Sequence, residues 1–255
     1  MKPSVCVTIP VKNSENFIMD SVMSALSQNY SNLVVRVYDG ESQDKTLDIL
    51  KKINDKRLIV YKLKDAGNAC KAIKRAIEHP NEEIIIPLMS DDFFVANNIV
   101  PMIVNEFIKN DIQFLYGNAY VVKRHDIQKI VRYVNPPEIS FNRLKKDDHP
   151  YWSSVAFKKS LIKSLNFNKN KYLLACDFDF YIQIFKENKF KSKKLNVALT
   201  KSRLGGLSTN SIYSIFSANR EAFSAWKKND IKIGYIFLIS KIYRKLNEFK
   251  FKLFD

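Results

Sequence analysis

Asp91 and Asp92 stand side by side directly after the apolar run Glu83 to Leu88, with only Met89 and Ser90 between. Adjacent carboxylates repel and raise one another's pKa unless a cation lies between them, so a divalent metal is the economical reading. A hard cation held by one or two carboxylates needs further oxygen ligands, and substrate phosphates commonly supply them. Two more acids sit at comparable places: Asp39 in Asp39-Gly40-Glu41-Ser42 and Asp65 in Asp65-Ala66-Gly67-Asn68, each after a short β-rich run. Plainer roles compete with these. Asp39-Gly40, and Asp65 with Gly67, are ordinary turn chemistry. A helix cap would account for one of Asp91 and Asp92, but not for both.

Four β-rich runs must position these groups: Val5 to Pro10, Leu33 to Tyr38, Leu58 to Leu63 and Glu83 to Leu88. Phe17, Ile18, Val22, Ala25 and Leu26 repeat at helical spacing between the first two. Leu47, Leu50 and Ile53 do so between the next two, with Asp44 placed to cap the start. Asn68 to Glu78 is helix-forming and basic. The βαβαβαβ order predicts an α/β fold with a mostly parallel sheet covered on both faces. Ligands of such sheets lie outside the carboxyl ends of the strands. The residues after each run, including Pro10-Val11-Lys12-Asn13, therefore share one edge, which reads as a metal and phosphate crevice.

The chain of 255 residues is 46% apolar and 13% aromatic, enough for a substantial core and against disorder. Its net charge of +16 is unevenly placed. Met1 to Leu115 holds 14 Lys and Arg against 15 Asp and Glu, a net of −1, while Tyr116 to Asp255 holds 28 against 11, a net of +17. No nucleic-acid-binding motif or compact Arg-rich stripe accompanies that excess, so nucleic acid is not the expected partner. Cys6, Cys70 and Cys176 are odd in number and widely spaced, without a zinc pattern, which suits a reducing, cytoplasmic compartment. The start is too polar for a signal-peptide core, and Ile233 to Ser240 is too short to span a membrane. No G-x-G-x-x-G follows the first run, which argues against an NAD enzyme.

Val5-Cys-Val-Thr-Ile-Pro-Val-Lys-Asn13, Tyr38-Asp-Gly-Glu-Ser-Gln-Asp-Lys-Thr46 and Leu88-Met-Ser-Asp-Asp-Phe93 resemble, in order and spacing, the N-terminal half of family 2 glycosyltransferases. Ala175-Cys-Asp-Phe-Asp179 is similar to the family's segment bearing the catalytic base, and Arg203-Leu-Gly-Gly-Leu-Ser208 to its R-x-G-G-x-S element. The resemblance covers roughly residues 4 to 210. It implies a GT-A fold, Rossmann-like, with an acceptor-side α+β region and C-terminal helices. It implies an inverting enzyme that moves a sugar from a nucleotide-diphosphate donor, a UDP-sugar foremost, to a hydroxyl of a lipid-linked or cell-surface glycan acceptor. By the same comparison Pro10, Asn13 and Glu15 shape the nucleobase pocket, Asp39 reaches the base or ribose, Gly67 and Lys71 belong to the donor site, Asp91 sits by the ribose, and Asp92 holds Mn or Mg on the diphosphate. Asp177 is the general base implied. An inactive nucleotide- or glycan-binding relative is the alternative.

Met89 stands where many family members carry another carboxylate or Asn, which leaves the metal to Asp92. Lys71, Lys74 and Arg75 either pair with the diphosphate or form the solvated face of a helix. Asp177 and Asp179 are two apart, so only one is expected to point at the crevice, and Asp179 has a rival role as cap of Phe180 to Glu187. His149, before Pro150-Tyr151-Trp152, is either an acceptor-side group, with Asp179 and Arg203, or a loop residue.

The expected organisation is a domain over 1–210, divided at 115/116 into a nucleotide-sugar half and an acceptor half, then a basic helical extension over 211–255. Antiparallel strands are expected at Gln113 to Tyr116, Ala119 to Lys123 and Lys129 to Val134, and helix from Ile215 onward. The aromatic and basic tail either lies in an anionic membrane interface, which would place the protein on the inner face of the cytoplasmic membrane, or packs on the domain.

Overall fold

The computed structural model describes residues 2–64, 69–165, 175–187, 190–206, 212–233 and 237. Strands β1 (Val5–Val11), β2 (Leu33–Asp39), β3 (Leu58–Lys62) and β4 (Ile84–Pro87) run parallel in the order β3-β2-β1-β4. They alternate with helices α1 (Ile18–Leu26), α2 (Thr46–Lys51) and α3 (Ala69–Glu78). β1 is buried along its whole length, as a strand covered on both faces must be. β3, beyond β2, lies at the sheet edge and is less buried, with no residue fully buried.

Alternation of side chains across the pleat divides the core in two. Ile84 and Ile86 of β4 join Val5, Val7 and Ile9 of β1 against α1 and α4 (Ile99–Lys109). Ile85 faces the other way, into a cluster with Ile73 and Ile77 of α3 and with Phe178, Phe180 and Tyr181 of α6 (Cys176–Glu187). Both faces of the sheet are thus closed by helices, as the βα alternation predicts.

The second half continues the same sheet with mixed strands. β5 (Asp92–Phe94), β6 (Phe114–Lys123), β7 (Asp126–Val134), β8 (Val155–Lys158) and β9 (Ser192–Arg203) extend the path as β4-β8-β6-β9-β5, with β7 on β6. β4 pairs antiparallel with β8, and β6 runs parallel to β9 but antiparallel to β7 and β8. The two strands expected at 113–116 and 119–123 are one strand. It passes through Gly117, where an added Cβ would lie 2.6 Å from Leu199 Cγ and 3.0 Å from the Val197 carbonyl oxygen. A glycine lets the two backbones approach, and the β6–β9 register shifts at that point.

The remaining helices are α5 (Phe141–Leu144) and α7 (Ile212–Lys228). α7 begins three residues before the helix expected from Ile215. Beyond residue 233 only Phe237 is described, and it is fully buried, with its ring 5.6 Å from Phe178 and 6.3 Å from Trp226. At that residue the tail packs on the domain. The rest of the basic aromatic segment lies outside the described residues. No helix among the described residues is long and apolar enough to cross a membrane.

Candidate active site

The loop after β1 and the loop after β2 are stitched together at the carboxyl edge of the sheet. Asn13 Oδ1 accepts from the Gln43 amide at 2.8 Å, and Ser42 Oγ accepts from the Asn13 amide at 2.9 Å. Glu15 Oε2 accepts from the Lys45 amide and Asp44 Oδ2 from the Glu15 amide, both at 2.9 Å. Asp44 Oδ1 also accepts from the Thr46 amide at 3.0 Å at the start of α2, although Lys45, not Asp44, occupies the N-cap position. Asn13 and Glu15 therefore shape this edge through the loops they hold. Asn13 (φ 51) and Glu41 (φ 63) adopt left-handed backbone there, which makes both turns sharp.

Asp39 ends β2, and Val11, its partner in register, ends β1 with Pro10 just before it, buried in the strand. Only 1% of Asp39 is exposed. Its Oδ2 accepts from the Ser42 amide at 3.2 Å, while Oδ1 is buried with no partner among the described residues. An unpaired buried acceptor is costly, and a ligand N–H or O–H would satisfy it. Gly67, with Asp65 and Asn68, lies outside the described residues. Lys71 is exposed on α3, and Lys74 pairs with Glu78 at 3.9 Å along the solvated side of that helix.

Asp91 and Asp92, the second expected to hold the metal, have different surroundings. Asp92 opens β5, opposite Ser202 of β9, and is 2% exposed. Its two oxygens accept short hydrogen bonds from the hydroxyls of Ser153 and Ser202. Burial, and then the neighbouring charge of Asp91, push its pKa up to about 7 against the two serine hydrogen bonds. Such a carboxyl is walled in by protein. It also caps no helix, since α4 begins at Ile99 after Asn98.

Asp91 is the carboxylate left at the surface of the crevice, its side chain 20% exposed. Its Oδ2 lies 3.5 Å from Arg124 Nη1 and close beneath Gly206, whose added Cβ would be 3.9 Å away. Burial raises its pKa, and Arg124 and Arg203 oppose the rise. Among the described residues no three His, Cys, Asp or Glu side chains converge on a metal position. One hard carboxylate together with substrate phosphate oxygens is nevertheless a fitting donor set for Mg or Mn.

Arg203 is buried beside the acidic pair. It is 5% exposed, donates to the Asp91 carbonyl at 2.8 Å and to Asp20 of α1, and lies over Phe17 and Phe93. It fixes the backbone of the acidic pair. Asp179 is displaced from the expected role. It lies inside α6 rather than before it, is fully buried, and accepts from Gln183 at 2.8 Å and Asn229 at 2.9 Å, with Lys228 Nζ at 3.7 Å. That carboxylate ties α6 to α7.

Asp177 is in the first turn of α6 and partly exposed, with Oδ1 accepting from the Phe178 amide at 2.8 Å. His149 packs its ring against Phe178 and Tyr181, each at 5.5 Å, with Nε2 3.5 Å from Asp147. The turn Trp152–Ser154 connects this corner to the acidic pair. Ser153 holds Asp92, while Trp152 stacks edge-on against Phe180 at 5.2 Å and Tyr181 at 5.9 Å. Ser153, Ser202 and Arg124 are contacts of the acidic pair that the motifs do not reveal, because each comes from a segment remote in the chain. Only the place of Ser202, one residue before Arg203, offers a sequence signal.

Residues 6–166 match the family described as Glycosyl transferase family 2. The chain belongs to that family. A curated glycosyltransferase from Escherichia coli, the UDP-Glc:alpha-D-GlcNAc-diphosphoundecaprenol beta-1,3-glucosyltransferase WfgD, is 27% identical over 207 residues, covering 81% of this chain and 79% of WfgD. Among solved structures, S. aureus TarS 1-349 in complex with UDP-GlcNAc aligns with a TM-score of 0.67 at 19% identity, over 93% of this chain and 72% of TarS 1-349. The mannosyltransferase PcManGT from Pyrobaculum calidifontis, in complex with GDP-Man and Mn2+, aligns at 0.66 and 16% identity, over 96% and 70%. These likenesses establish the GT-A fold for this glycosyltransferase. The expected fold class and family are thereby borne out, and the inactive-relative alternative gives way to an enzyme.

Proposed function

We propose that this glycosyltransferase moves a sugar, with inversion, from a UDP-sugar to a hydroxyl of a lipid-linked glycan acceptor. The observation that carries the donor half is Asp39 Oδ1, a buried acceptor without a partner at the strand end where a nucleobase would lie. The activity for which WfgD is named, with a UDP-sugar donor and a diphosphoundecaprenol-linked acceptor, supports the substrate classes, since the match spans most of both chains.

In this reading the loops joined through Asn13 and Glu15, with Pro10, frame the base, and Lys71 borders the donor. Asp91 takes the metal-ligand role in place of Asp92, and Arg203 holds its backbone in position. A divalent ion bound there would neutralise charge growing on the leaving diphosphate. Asp177 removes the proton from the acceptor hydroxyl as that oxygen attacks the anomeric carbon from the face opposite the diphosphate. His149 borders the acceptor side.

The +17 of the second half, with Tyr213 and Phe216 of α7 exposed at 80% and 68%, supports placing the enzyme against an anionic membrane surface, the cytoplasmic face being where such donors are used. The donor assignment is tested by thermal shift with UDP. UDP at a hundred times its Kd stabilises the folded protein by about 2.7 kcal/mol. Asp39→Ala is expected to lose most of that rise. An unchanged melting temperature of the wild type with UDP, with or without Mn2+, overturns the assignment.

A further inference from the structure

Two guanidinium groups share the ring of Phe17, and they are differently committed. Arg203, 5.0 Å from the ring centroid, is buried and spent on Asp20 and on the Asp91 backbone. Arg124, 4.4 Å from the same centroid, comes from the turn between β6 and β7 and is 36% exposed. Its Nη1 reaches the carbonyls of Gly205 at 3.1 Å and Leu204 at 3.5 Å, and Asp91 Oδ2 at 3.5 Å. The hairpin tip thus delivers a cation to the one carboxylate of the acidic pair that meets the crevice.

That contact is long and partly solvated, and such pairs hold weakly in water. A divalent ion approaching Asp91 would compete for the same oxygen. The guanidinium would not have to leave, because the face of Phe17 retains a cation in more than one orientation. Its planar donors suit phosphate oxygens as well as they suit a carboxylate.

We propose that Arg124 is the resident counter-cation of Asp91 and a diphosphate-positioning residue, which releases the carboxylate to a divalent ion and turns to the donor phosphates. This rests on the reading of the crevice as a UDP site. Two opposite effects follow from one substitution. With the charge removed, Asp91 is left to the metal alone, so Mn2+ by itself should bind more tightly. UDP without metal loses a cation, so it should bind less tightly.

The test uses the full chain and the variants Arg124→Gln and Arg124→Lys. Mn2+ binding without nucleotide is read from the electron paramagnetic resonance signal of the free ion. UDP binding in chelator is read by calorimetry. For R124Q the expectation is roughly fivefold tighter Mn2+ and about tenfold weaker metal-free UDP, with R124K, which keeps the charge but not the planar donors, close to wild type for Mn2+ and intermediate for UDP. If both affinities of R124Q fall together, Arg124 is only a structural pin of the hairpin, and if neither moves it is a bystander; either result overturns the proposal. Failure of the wild type itself to bind UDP overturns the reading of the site instead, and the wild-type titration alone reveals it.

Discussion

Asp177→Asn keeps the shape of the first turn of α6 and removes the proton acceptor. Sugar transfer is expected to fall roughly a hundred- to ten-thousand-fold while UDP binding stays within twofold of wild type, roughly the spread of context effects. Steady-state kinetics beside calorimetry checks this, and retained transfer would remove the base assignment. Asp92 supports a prediction of a different kind. Its folded pKa of about 7 lies above the ordinary carboxylate value because burial and Asp91 disfavour its anion. The unfolded chain therefore releases this proton first as pH rises, and the contribution of Asp92 to stability is complete below about pH 4 and declines up to about pH 7. Asp92→Asn, which cannot ionise, should show a flatter melting temperature between those limits, and parallel pH profiles for the two proteins would refute the shift. Adjacent in sequence, the two acids differ because one meets two serine hydroxyls and the other meets the crevice.

At the scale of elements, the place of Asp177 depends on how α6 is held. Asp179 joins it to the C-terminal end of α7 through Asn229 and Lys228, and Trp152 and Ser153 join it to the acidic pair. Asp179→Ala is expected to destabilise the protein by roughly 3 kcal/mol, the scale of a buried pair that loses one partner. Urea denaturation measures this, and UDP binding by the folded fraction should persist, which separates Asp179 from Asp177. Gly117→Ala tests the β6–β9 contact. With a Cβ 2.6 Å from Leu199 Cγ, overpacking is expected to cost about 1–3 kcal/mol, and a loss below the error of the denaturation curve would show that Leu199 yields. The parallel half of the sheet was legible from the β-rich runs and helical spacing between them, since both signals are local. The joining of 113–116 with 119–123 into one strand was not, because Gly117 resembles a turn residue until β9 is seen beside it.

For the whole molecule, the charge division is the property with the widest consequence. A near-neutral half carries the loops after β1 and β2, and a half of net +17 carries α7 and its exposed aromatic pair. Association with vesicles containing anionic lipid should exceed that with neutral vesicles and weaken as salt shortens the range of the field. Tyr213→Ala with Phe216→Ala should reduce co-sedimentation without altering UDP binding. Equal sedimentation of wild type and double variant would remove these aromatics from the membrane contact.

The sequence by itself determined the α/β half, the family and the edge on which the acids gather, because each rests on residues within one strand–loop unit. Tertiary structure alone decided which acid faces the crevice and which side chains hold the other. Ser153 and Ser202 are 61 and 110 residues from Asp92 in the chain, and Arg124 is 33 from Asp91. Strand pairing brings them together at a hydrogen-bond distance, and no local pattern of the chain records that meeting.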